Sequence, residues 1–177
     1  MNIQNNIDFF IQTKRLTIRP FTLEDIAKIY QMSLENGMKK WIPDQVYKDL
    51  THTTQVVNFL NSQIENKNSP NSNPIVLGVY INNNSTIIGH IGLSPAKNQV
   101  EIGYAIEDAN QGKGYATEAV KCFTQWAFKS YHLKLLLGIV DVKNTGSCKV
   151  LENSKFKLKS KVVADQATYT LYNPVFK

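Results

Sequence analysis

Gly112 and Gly114 flank Lys113 within the run EDANQGKGYATEAV, residues 107–120. Residues without a side chain let the backbone approach a ligand closely and take positive φ. The lysine between them adds a positive charge. An apolar run with helical period follows, carried by Ala116, Ala119, Val120, Phe123, Ala127 and Phe128. A helix starting there leaves its first amides unpaired and turns the positive end of its dipole toward the loop. That combination suits an anion, and a pyrophosphate is its natural guest. Two nucleotide motifs fail. A P-loop needs glycine at 107 and Ser or Thr at 114, where Glu107 and Gly114 stand. A dinucleotide fingerprint needs glycine at 117, which is Thr117.

The flanking elements follow from pattern. RLTIRPF, 15–21, reads as a strand stopped by Pro20. Thr22 and Asp25 form a near capping box for a helix with Leu23, Ile26, Ala27, Tyr30 and Leu34 on one face. MKKWIPDQV, 38–46, reads as a loop broken at Pro43, and a second helix runs over about 53–64. Three strands follow at 75–81, 86–94 and 99–107, joined by turns as a meander. After the helix at about 114–130, KLLLGIVDV, 134–142, is apolar throughout, as strands covered on both faces are. A helix at about 145–154 and two strands, about 156–163 and 168–175, end the chain. The strand–helix–strand unit around residue 114 implies parallel neighbours. The expectation is one mixed α/β domain over 1–177, with a mostly antiparallel sheet of six to seven strands, a parallel pair and about four helices.

Composition narrows the class. The chain of 177 residues is 42% apolar and 19% charged, a globular balance. No stretch approaches the ~18 apolar residues of a membrane span, so no membrane partner is expected. The first residues lack a basic leader with an apolar core, so no secretion signal is expected. Cys122 and Cys148 form no CxxC pair and fit a reduced, cytoplasmic setting. His52, His90 and His132 show no metal-ligand spacing, so no metal is expected. The formal charge of +6 suits an anionic ligand. The lysine-rich KFKLKSK, 155–161, alternates with Phe156 and Leu158 as a solvated sheet edge does, with no nucleic-acid motif beside it.

What does fit the glycine loop is Gln111-x-x-Gly114-x-Ala116. In its context, EIGYAIEDANQGKGYATEAV, the chain resembles the GCN5-related N-acetyltransferases (GNAT), and within them the ribosomal-protein N-acetyltransferase (RimJ/RimL-type) branch. TKRLTIRPFTLEDI, 13–26, and VKNTGSCKVLENSKF, 142–156, carry the same resemblance. It spans about residues 13–172, and the order of elements is the family's. The resemblance implies the GNAT fold and acetyl transfer from acetyl-CoA, the cosubstrate, to a primary amine. It implies that the amides of Gln111, Gly112, Lys113, Gly114, Tyr115 and Ala116 hold the coenzyme A pyrophosphate. Ala105 and Ile106 would pair with the pantetheine amides where two parallel strands splay. Asn144 and Ser147 would complete the cofactor site, with Ser147 near the thiol as an acid. Asn144 reads equally as a helix cap.

The chemistry needs a proton acceptor and a donor to the carbonyl oxygen. Glu101 is the candidate base, because Val100 and Ile102 pointing into the core would turn Glu101 and Gly103 toward a cleft. His90 is a second candidate, and Tyr104 holds a water or packs. The chain departs from the family in three places. Leu151 stands where many relatives carry a tyrosine acid. Lys155, not glycine, precedes Phe156. No acidic residue lies in 157–164, and Asp165 sits in a turn. The resemblance implies a protein N-terminal α-amine or a small amine as acceptor, with nucleic acid entering only through a ribosomal substrate. A monomer or homodimer is expected. The competing reading is a non-catalytic acyl-CoA sensor or interaction module, and an RNA-associated protein ranks last.

Overall fold

The computed structural model describes residues 8–96, 98–163 and 165–176. Among the described residues, eight strands form one sheet in the order β1-β2-β3-β4-β5-β6-β8-β7. They are β1 Ile11–Gln12, β2 Leu16–Arg19, β3 Ile75–Ile81, β4 Ile87–Ala96, β5 Gln99–Ile106, β6 Leu135–Asp141, β7 Lys157–Val163 and β8 Gln166–Tyr172. Five helices accompany them: α1 Ile26–Ser33, α2 Asn36–Trp41, α3 Leu50–Glu65, α4 Tyr115–Tyr131 and α5 Thr145–Asn153. Every neighbouring pair is antiparallel except β5–β6. The two-residue β1 and the short α2 are the elements beyond the expected strands and helices.

Alternation on the strands builds two apolar layers. Leu77, Val79, Ile91, Leu93, Val100 and Ile102 face α4, whose Ala119, Val120, Phe123 and Ala127 bury against them. The opposite face meets α1 and α3 through a smaller cluster of Phe21, Met32, Val57, Tyr80 and Ile87. Phe123 is fully buried in this layer, so truncating it would cost about 3–5 kcal/mol.

The expected inner face of α1 is corrected. Leu23 is 70% exposed, and Ala27 and Leu34 also face outward. Leu23 stands in a 3-10 turn at Leu23–Asp25, whose tighter period offsets the phase of the helix behind it. Ile26 turns inward as expected, joined by Ile29, Met32 and Ser33. The Thr22 amide does donate to Asp25 Oδ2 at 2.7 Å, and the buried Tyr80 hydroxyl donates to the same oxygen at 2.6 Å. The loop expected over 38–46 is largely ordered: α2 occupies its first residues and a 3-10 turn spans Pro43–Gln45.

At the far edge, β7 closes the sheet. Phe156 is buried beside it, but Leu158 is 57% exposed, so the alternation read there does not hold at Leu158. Leu158 registers with the buried Tyr169 of β8 but stands on the outermost strand, where the covering layer ends.

Candidate active site

Two features of β5 create the site. First, β5 and β6 register in parallel at Glu101↔Leu137, whereas β5 keeps β4 as its antiparallel partner through Ile106↔Gly89. The β6-facing edge of β5 is therefore open beyond Glu101. Second, the chain leaves β5 through a 3-10 turn, Asp108–Asn110, and re-enters a helix at Tyr115. Gly112 and Gly114 have φ of 73° and 80°, a region costly to any residue with a Cβ. Side chains there would also take up space: a Cβ at Gly112 meets nothing within 4 Å, and one at Gly114 meets only Arg15 Nη2 at 3.4 Å. The first backbone bond of α4 runs from the Glu118 amide to the Gly114 carbonyl, 3.1 Å. Amides ahead of Glu118 have no carbonyl one turn back, as at any helix start. The result is an open cradle of main-chain donors at the positive end of a 17-residue helix.

The loop is braced by its own side chains. Gln111 Nε2 donates to the Ile106 carbonyl (2.9 Å) and to Asp108 Oδ1 (3.0 Å). Lys113 Nζ folds back onto the Ala109 carbonyl (2.9 Å) and Asn110 Oδ1 (2.8 Å). Arg15 braces the loop from β2's approach, donating from Nη1 to the Lys113 carbonyl at 3.0 Å and pairing through Nε with Glu118 at 2.6 Å. Partial burial opposes ionisation of Glu118, but hydrogen bonds from Thr13 and Arg15 outweigh it and hold the carboxyl below its usual range. Helices α1 and α2 brace the other side. Lys28 pairs with the buried Glu107, and the Asp108 amide donates to Glu35 at 2.9 Å. Burial, then the charges of Asp108 and Glu107, push Glu35 upward against that hydrogen bond.

A cavity of about 450 Å³ lies between the open edge of β5 and the N-termini of α4 and α5. Ala105, Ile106, Gln111, Gly112, Gly114, Tyr115, Ala116, Asn144 and Ser147 all line it. Lys113 does not, because its amine is spent on the loop. Asn144 caps α5, its Oδ1 accepting from the Ser147 amide at 3.1 Å. The Tyr104 hydroxyl donates to the Ser147 carbonyl at 3.1 Å, tying α5 to β5. Burial raises the Tyr104 pKa, so the hydroxyl stays protonated as that donor. Glu35, Met38, Trp41 and Lys149 are further walls of this cavity. Glu35 and Lys149 carry no spacing signal, and Met38 and Trp41 lie in the stretch read as a loop.

A second cavity, about 260 Å³, lies on the other face of the sheet, beneath α1 and α3. Gly103 is part of its wall, as are Gly92, Ser94 and His90 from β4. Met38 lines both cavities. Val100 and Ile102 do point into the core, and Gly103 does face the second cavity. Glu101 shares that face, opposite Ser94, but lies one strand pair beyond Gly103 and lines neither cavity. It is half-buried, and desolvation pushes its carboxyl above the usual range, toward a stronger base. Burial moves His90 the other way, down to about 4. Its ring borders the cavity while its Nε2 is buried without a hydrogen-bond partner. A neutral imidazole so reluctant to take a proton is a weak base at pH 7.

The family departures acquire structural reasons. Leu151 is 2% exposed and fills the space over Gly138, where a Cβ would come within 2.7 Å of it. Its position is a core position here. Lys155 adopts φ of 71° without being glycine. The Phe156 amide donates to the Leu151 carbonyl and the Lys155 amide to the Glu152 carbonyl, both 3.0 Å, so the left-handed helix ending is kept. Asp165 pairs with Lys143 at 3.1 Å on the surface, in the β7–β8 turn. Among the described residues, no three His, Cys, Asp or Glu side chains gather as metal ligands. No helix among them is long and apolar enough to cross a membrane.

An open parallel edge above a glycine cradle defines a known family. The acetyltransferase (GNAT) domain model matches residues 15–157, and the chain belongs to that family. It is an acetyl-CoA-dependent N-acetyltransferase. It is 28% identical over 144 residues to the uncharacterized N-acetyltransferase YnaD of Bacillus subtilis (strain 168), covering 80% of this chain and 79% of that one. The fold matches the ribosomal-protein-S5-alanine acetyltransferase of Vibrio fischeri with a TM-score of 0.78 at 19% identity, covering 96% and 100% of the two chains. It also matches Mycobacterium smegmatis RimJ in complex with CoA-disulfide, with a TM-score of 0.74 at 16% identity over 89% and 81%.

Proposed function

We propose that the larger cavity holds acetyl-CoA and the smaller one the acceptor amine, with transfer through the gap beside β5. The carrying observation is the placement of the cradle at Gln111–Ala116, the α5 start at Asn144 and Ser147, and the open edge at Ala105 and Ile106 around one space. In this reading the amides of residues 111–116 bind the diphosphate, and Ala105 and Ile106 pair with the pantetheine. Lys113 contributes through its amide, since its ammonium is engaged.

A neutral amine attacks the thioester carbonyl carbon, its C–N bond forms, and the C–S bond breaks. The amine proton passes to Glu101 through water, which the separation of Glu101 from the cavity requires. Ser147 relays a proton to the departing thiolate, its hydroxyl taking one from water as it gives its own, and Glu101 returns the amine proton to solvent. Glu101 is favoured over His90 because burial strengthens the carboxylate as a base and weakens the imidazole. A protein α-amine, with a reference pKa near ~7.7–8.0 against ~10.4 for lysine, loses its proton readily enough for such a relay. The likeness to an S5-alanine acetyltransferase supports an amine of that kind. We assign the protein to the cytoplasm as one domain over 1–177.

Thiol release from acetyl-CoA tests this, with an N-terminal peptide as acceptor and Ser147→Ala and Glu101→Gln in parallel. Both variants should lose turnover while retaining coenzyme A binding by calorimetry. Full turnover in both would remove these two residues from the chemistry. Coenzyme A binding without any turnover, in the wild type and over a range of amines, would favour an acyl-CoA sensor.

A further inference from the structure

The cavity beneath α1 and α3 carries information about the acceptor itself. Its broad walls are apolar: Ile29 and Met32 from α1, Val57 and Leu60 from α3, and Val76 from β3. Besides Asp44, its polar side chains are hydroxyl, phenol, amide and imidazole groups, and several are already engaged. Ser33 Oγ donates to the Tyr30 carbonyl at 2.7 Å and accepts from the Tyr47 amide at 3.3 Å. His52 Nδ1 accepts from the Lys48 amide at 3.2 Å. Asp44 is the charged residue of the lining, and it is exposed. A carboxylate carried inside would shed its water and meet no Lys or Arg, and a second ammonium would find only Asp44, which sits exposed in water, so either is costly.

The floor sets size. Gly92 and Gly103 pair across β4 and β5. A Cβ at Gly92 would come within 2.7 Å of the Ile75 carbonyl, so backbone packing alone demands glycine there. At Gly103 a Cβ would meet nothing within 4 Å, and φ is not positive. Fold and packing leave Gly103 free to be larger, and what its missing side chain leaves is room.

We infer that the acceptor is a primary monoamine whose body next to the nitrogen is compact, apolar and uncharged, with Gly103 setting the size of that body. This rests on the acetyl-transfer reading of the same site. Such a group occurs on free alkyl and arylalkyl amines and on peptides with an apolar first residue.

Thiol release is measured with acetyl-CoA and phenethylamine, ethylamine, a Leu-initiated tetrapeptide, an Asp-initiated tetrapeptide and spermidine. Phenethylamine or the Leu peptide should exceed spermidine and the Asp peptide at least tenfold in kcat/KM, since one methylene in an apolar pocket is worth on the order of tenfold or more. Their mutual ratio separates the free-amine source from the peptide source. Gly103→Val should raise KM at least tenfold for the better bulky acceptor, spare ethylamine, and leave coenzyme A affinity unchanged by calorimetry. Spermidine or the Asp peptide as best acceptor overturns the inference, and so does an equal loss for bulky and small amines in Gly103→Val. Absence of turnover with every amine overturns the acetyl-transfer reading itself, and this inference with it.

Discussion

The two cavities either side of β5 are built from different materials. The larger sets backbone beside its side-chain walls: the N-terminal amides of α4, the capped start of α5, the open edge of β5, and glycines that keep side chains out of the way. The smaller is walled by side chains from α1, α3, β3 and β4, most of them ordinary apolar residues. A backbone site binds what all members of a family share, because main-chain donors survive most sequence change. A side-chain site binds what distinguishes one protein from another. The base proposed for catalysis, Glu101, stands on the side-chain face, and its environment is set by burial alone.

Substitutions on each side sharpen the contrast. The largest effect belongs to Glu101→Gln, with kcat lowered on the order of a hundredfold or more and coenzyme A affinity intact. A base raised above the usual carboxylate range also places the acid limb of the wild-type pH–rate profile above pH ~4.5, and the variant loses that limb. The sign for stability is opposite. A carboxyl whose folded pKa is raised gives stability that is full below its unfolded pKa and falls as pH rises through the folded value. Glu101→Gln should therefore melt higher than wild type at pH 7, with the gap closing toward pH 3; a lower melting point at pH 7 contradicts the desolvation account.

Next comes the backbone side. Valine at both Gly112 and Gly114 forces two β-branched residues into left-handed backbone at about 1–2 kcal/mol each. Coenzyme A binding, read by calorimetry, should weaken on the order of a hundredfold while circular dichroism stays native. If affinity is unchanged, the cradle is not the anion site. Tyr104→Phe, which cuts the tie to Ser147, should remove about 0.5–1.5 kcal/mol of stability and lower kcat several-fold at unchanged acetyl-CoA KM. Smallest is Arg15→Ala. Its pair with Glu118 is partly exposed, so the loss is about 0.2–1 kcal/mol, visible as a modest shift in coenzyme A affinity that shrinks further in high salt.

The same contrast explains what could be read from the chain beforehand. The run from β5 through α5 was legible because its signals are local. A strand, two glycines, a helical stripe and Asn144 three residues before Ser147 all act within one turn of their neighbours. Lys113 was only half legible: its charge is evident, but its use on Ala109 and Asn110 depends on how the loop closes. Glu35 was invisible, and so was the helical form of the stretch that carries Met38 and Trp41, because Pro43 masks the short α2 as a loop. The phase of α1 was lost at Leu23 for a similar reason, since a 3-10 turn shifts the period without marking the sequence. His90 carries no sign of its depressed basicity in Ile88-Gly89-His90-Ile91; only the packing of α1 and α3 over β4 supplies it.

Helix α2 has a consequence of its own. Met38 belongs to both chambers, Glu35 caps the turn that leads into the cradle, and Lys28 on α1 grips that turn through Glu107. Roof of one chamber and anchor of the other are thus a single mechanical part. Any shift of that part on filling one chamber alters affinity in the other, and thermodynamic reciprocity makes the factor equal in both directions.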